Sequence, residues 1–95
     1  MGDTIRFNSN ITINEINIFI EDYYKKWLQD ERLVQNSLTF EFSENVEFID
    51  ELFYAYLLLF KQNFPKIQIV FDIKSNKPKQ IAKQHIVFLN TSWTN

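Results

Sequence analysis

Cysteine is absent from these 95 residues, glycine and histidine each occur once, and proline occurs twice. Without cysteine there is neither a disulfide framework nor a thiolate nucleophile, and the Cys-rich kinds of zinc site are excluded. A reducing, cytoplasmic setting fits that usage. The single glycine, Gly2, leaves no Gly-rich loop to cradle phosphates, and the H-E-x-x-H and G-x-S-x-G signatures are missing as well. His85 has no second His or Cys near it, so it reads as a half-buried helix residue and not as a metal ligand. No cofactor, metal or catalytic residue is expected, and the chain reads as non-enzymatic. The N-terminus lacks the positive and then apolar profile of a signal peptide, and the apolar stretch Phe53 to Phe60 is too short to span a bilayer.

What the chain does have is apolar side chains at 45%, among them ten Phe, four Tyr and two Trp. That is ample for one aromatic-rich core in a single domain over residues 1–95. Charge is divided along the chain. Residues 1–60 carry four basic and eleven acidic side chains, whereas 61–95 carry six basic and one acidic. Lys74, Lys77, Lys79 and Lys83 form one small basic cluster without Arg beside an acidic half, which reads as a solvated surface and does not make a case for nucleic acid.

The organising stretch runs from Leu38 to Ile73. SLTFEF alternates with Leu38, Phe40 and Phe42 on one side, and KIQIVFDI alternates with Ile67, Ile69, Phe71 and Ile73 on one side. A helical run lies between them, so the unit is strand–helix–strand and needs a parallel crossover. Upstream, Thr4–Asn8 alternates as a first strand, and Thr12 with Glu15 fits a capping box opening a helix at Ile13, with Ile11 and Ile16 placed as a staple. Ile16, Phe19, Ile20, Tyr23, Tyr24, Trp27 and Leu28 then follow helical spacing as a core stripe, to an end near Arg32. Alternation means helices cover only one face of the sheet, because strands covered on both faces read as continuous apolar runs. Right-handed crossovers between neighbouring strands give that outcome. The fold expected is an α/β two-layer sandwich, βαβαβα, with a small parallel sheet whose open face shows Thr39, Glu41, Gln68 and Asp72.

In the middle helix Asp50 is placed as N-cap and Glu51 in the first turn. Leu52, Phe53, Tyr56, Leu57 and Phe60 form the stripe expected to be buried, flanked by Leu59. Tyr54 and Leu58 fall on the opposite side with Glu51 and Gln62, a second, smaller apolar surface. An aromatic anchor with flanking charge suits a protein contact, so Asp50, Glu51, Tyr54 and Leu58 are the expected partner-binding residues. Beyond the third strand, Lys77-Pro78 reads as a helix entry. Ile81, Ala82, His85, Ile86 and Leu89 continue a helical stripe, while Ile86–Leu89 reads equally as a short edge strand. Trp93 in the tail is expected either to fold back or to meet a partner.

Val46-Glu47-Phe48-Ile49-Asp50, preceded by a strand and followed by an apolar helix and another strand, resembles the STAS domain of anti-sigma factor antagonists. Phe48-Ile49-Asp50-Glu51-Leu52-Phe53 is similar to the F-A-D-E-L-F-type core of the bacterial STAS-like family of unknown function. The resemblance covers roughly residues 36–75. It implies helices on one face of a sheet and a protein–protein interaction module that regulates or scaffolds a bacterial or phage-associated assembly, often toward ATPase-type regulators. Antagonist STAS domains place a phosphorylatable Ser directly after the Asp; Glu51 stands there instead, and the Asp50–Glu51 pair repels phosphate. A phospho-switch is therefore not expected. The alternative is a small acidic inhibitor, such as a phage-borne antagonist, that occupies a basic site through its residue 41–51 carboxylates. Partners are thus a protein or a second copy of the chain, with neither nucleic acid nor membrane expected.

Overall fold

The computed structural model describes residues 2–33, 36–85 and 92–93. In it the alternating runs pair side by side as parallel strands. β1 (Gly2–Phe7), β2 (Ser37–Phe42) and β3 (Gln68–Ile73) lie in sequence order, and the tail returns as a two-residue β4 (Ser92–Trp93) against β3. The register sets Ile5 beside Phe40 and Phe40 beside Phe71, with Phe7 beside Phe42 and Phe42 beside Ile73. One face of the sheet is therefore a continuous apolar floor. On the other face Thr39 and Glu41 are half-buried and Gln68 is exposed, while Arg6 pairs with Glu41 at 3.1 Å. This is the two-layer α/β arrangement that one-sided alternation requires.

The first helix is one rod with a defect. α1 (Ile13–Phe19) and α2 (Lys25–Gln29) are joined by a π-helical turn over Ile20–Tyr24. The wider turn admits an extra residue, so the buried stripe steps from Phe19 to Tyr24 and not to Tyr23. That phase shift explains why Ile16, Phe19, Tyr24 and Trp27 are buried while Tyr23 and Leu28, expected in the stripe, face outward. Thr12 is the N-cap residue, but its side chain makes no cap bond, so the capping box does not form. Ile11 is buried all the same. Its backbone pairs with the segment before the next helix, donating to the Phe48 carbonyl at 2.9 Å and accepting from the Asp50 amide at 2.9 Å.

α3 (Glu51–Asn63) starts as expected: the Asp50 carboxylate accepts from the Leu52 amide at 3.0 Å. Its buried residues are Phe53, Tyr54, Leu57 and Phe60, with Tyr56 and Leu58 half-buried. The stripe is turned toward Tyr54 and away from Leu52, which is 42% exposed. The cause lies in the neighbouring helix, since His85 of α4 (Asn76–His85) stacks on Tyr54 with ring centres 5.1 Å apart and planes 8° from parallel. Lys61 in the last turn of α3 donates to the Ile67 carbonyl and ties the helix to the entry of β3. Phe53 sits among Phe7, Phe19, Phe40 and Phe42, ring centres 5.4 to 6.0 Å away in edge-on geometry. Each such pair adds about 0.5–1.5 kcal/mol beyond area burial.

α4 enters earlier than its proline suggested, at Asn76, so Pro78 occupies the third helical position and is buried. Lys79 is the residue whose amide bonds back, to the Ser75 carbonyl at 3.3 Å. The helix reading is correct through His85, and the choice between helix and strand for Ile86–Leu89 lies outside the described residues. No helix among the described residues is long and apolar enough to cross a membrane.

Candidate functional site

Parallel strands that run in sequence order all deliver their loops to one end of the sheet. Asn10 follows β1, Glu47–Glu51 follow β2, and Ser75–Pro78 follow β3, and together these segments border a groove of about 970 Å³ at the carboxyl ends of the strands. Clefts in open α/β sheets favour that end, usually where strand order reverses. Here the order never reverses, and the groove opens between the starts of α3 and α4 instead.

The α3 side is held by backbone geometry. Asn10 Oδ1 accepts from the amides of Glu47 at 2.8 Å and Phe48 at 3.2 Å, while the Ile11 pairing fixes Phe48 and Asp50. Val46 and Ile49 are thereby committed to the core. Phe48 between them is turned outward and is 51% exposed. Asp50 serves as the cap, and the Glu51 carboxylate stands in the open with its side chain 82% exposed. On the α4 side Ser75 donates its hydroxyl to the Glu44 carbonyl at 2.9 Å, Lys77 is exposed, Ile81 is 41% exposed, and His85 Nε2 lies 3.9 Å from Glu51 Oε1.

Tyr54 lines the same groove and is 5% exposed. Its hydroxyl is buried and has no hydrogen-bond partner among the described residues. Burial pushes its pKa well above the ordinary phenol range.

Of the residues the sequence marked for a partner, Asp50, Glu51 and Tyr54 border this groove and Leu58 does not. Leu58 is half-buried against the core. The exposure expected for Tyr54 is corrected: α4 docks on that flank of α3, and His85 covers the ring. Asn10, Phe48, Lys77 and Ile81 also border the groove and were not among the residues the sequence marked for a partner. Phe48 entered the sequence reading only as part of the resemblance motif, and the backbone pairing with Asn10 and Ile11 turns it out. Asn10 accepts from amides 37 and 38 positions away, a role that leaves no local pattern. Among the described residues no group of three His, Cys, Asp or Glu is placed to hold a metal ion. No family model, curated protein or solved structure matches this chain.

Proposed function

We propose that the chain is a non-catalytic, STAS-like protein-interaction module that regulates or scaffolds a larger bacterial or phage-associated assembly, docking through the groove between α3 and α4. The observation that carries this reading is a pair of outward apolar side chains, Phe48 and Ile81, at a groove ringed by charge and floored by a buried tyrosine. Apolar anchors inside a polar rim are the usual anatomy of a protein contact. The groove's acids suit recognition better than proton transfer, since Asp50 is committed to the Leu52 amide and Glu51 faces water. The STAS-like part of the proposal rests on the strand–helix–strand unit with Asp50 as cap, the segment that carries the sequence resemblance.

The acidic-inhibitor reading has less support, because the residue 41–51 carboxylates do not share a surface. Glu41 is paired with Arg6 on the open sheet face, whereas Glu47 and Glu51 border the groove. Affinity capture with the parent and a Phe48→Ser/Ile81→Ser variant tests the proposal. A protein held by the parent from about 0.1 to about 1 M salt, where the Debye length falls from about 10 to about 3 Å, and lost from the variant, is the expected result. Binding that vanishes with salt and ignores the variant returns the inhibitor reading.

A further inference from the structure

The two sides of the groove carry opposite charge, and the difference is built into the two helix starts. At α3 the positive end of the helix dipole faces Asp50 and Glu51, with Glu47 beside them. At α4 the first turn holds no acidic side chain and presents Lys77 instead. One helix start is thus supplied with carboxylates and the other lacks them. Phe48 stands on the acidic side and Ile81 on the basic side, each with about half or somewhat less of its surface exposed.

We infer that this groove is self-complementary and that its occupant is a second copy of this chain. A two-fold axis through the groove brings the Glu47–Glu51 side of each protomer onto the α4 start of its partner, and each Phe48 onto the other's Ile81. That is the reciprocal pattern of an isologous interface. The carboxylates of one copy then meet the lysine and dipole that α4 leaves uncompensated, while the apolar pair forms the dry centre. The inference rests on the reading of the groove as a protein-docking surface and names the partner that fills it first.

Sedimentation velocity over a concentration series reads the outcome. The parent is expected to dimerise. Asn76→Asp/Lys77→Glu supplies α4 with the acids its start lacks, which favours the helix itself, yet places like charges across the two-fold. Glu47→Lys/Glu51→Lys reverses the other side. Each variant is expected to weaken self-association about tenfold or more with an unchanged circular dichroism spectrum, and an equimolar mixture of the two is expected to restore a dimer containing one of each. A parent that stays monomeric at every concentration overturns the inference, as does a mixture that fails to reassociate. If the parent is monomeric while the Phe48→Ser/Ile81→Ser variant still loses a foreign protein, the docking groove stands and only its second-copy occupant is refuted.

Discussion

The interior between α3 and the sheet and the groove at its end are held by different means. Inside, Phe53 meets rings from both strands and helix, Phe42 stacks on Phe71 with planes 4° apart, and Trp27 packs on Phe60 at 5.0 Å. At the groove, α4 buries only Pro78 and Ala82 among its described side chains, and the opposite side is fixed by Asn10, the Ile11 bridge and one cap. In an interior secured by many overlapping side chains any single change is costly, whereas a site secured by a few directional bonds can be retuned one residue at a time. Substitutions at the groove are therefore expected to disturb the fold less than substitutions in the interior.

Truncation at the centre of the rings tests that contrast most severely. Phe53→Ala should destabilise the protein by about 3–5 kcal/mol, the usual cost of removing a fully buried aromatic from a packed core. A denaturant titration showing a loss below about 1 kcal/mol would mean that the rings around Phe53 do not act as one unit.

The same contrast decides what the sequence revealed. Period-two alternation in SLTFEF and IQIVFDI made the strands and the buried face legible, because each inward residue there has a single role, and the helical run between them made the parallel pairing legible. Asp50 was legible for the same reason, as a local cap. The register of α1 was not, since a π-turn is an insertion in geometry that leaves no mark in spacing, and it turned Tyr23 outward while Tyr24 stayed in the buried stripe. Tyr54 was misplaced because helical counting gives angles around one helix and cannot say that His85, 31 positions later, will roof over the far side. The tail strand was equally hidden, with two residues being too few to show a period. Elements dictated by their own pattern were readable; those dictated by a distant neighbour were not.

Asn10 offers a way to loosen the groove and spare the rings. Asn10→Ala removes the acceptor shared by the Glu47 and Phe48 amides and should cost about 1–2 kcal/mol, in line with two modest hydrogen bonds. Thr12→Ala is the matched control, since the Thr12 side chain makes no cap bond. Amide hydrogen exchange should report the damage at residues 46–51 first, ahead of the centre of β2 and β3. Equal acceleration in the strands and the loop would show that the groove and the interior open together and erase the distinction drawn between them.

The smallest expected effect has the opposite sign. The Tyr54 hydroxyl is buried without a hydrogen-bond partner among the described residues, and desolvating such a group is a cost the fold carries. Tyr54→Phe keeps the ring under His85 and removes that cost, so stability near neutral pH should rise by up to about 1 kcal/mol. The pH dependence follows from linkage. Burial raises the folded-state pKa of this phenol above its unfolded value of about 10, so below that pH both states hold the proton and the stability assigned to the group is fully present. Above it the unfolded chain ionises first, and the contribution is lost as pH climbs toward the folded value. The variant has no such group to lose. Tyr24, also raised by burial, contributes alkaline loss to parent and variant alike and cancels in the difference. Urea midpoints at about pH 8 and about pH 11 should therefore show an advantage for Tyr54→Phe that widens at the higher pH. A variant less stable than the parent at both values would mean that the hydroxyl has a hydrogen-bond partner in solution and is not a cost to the fold.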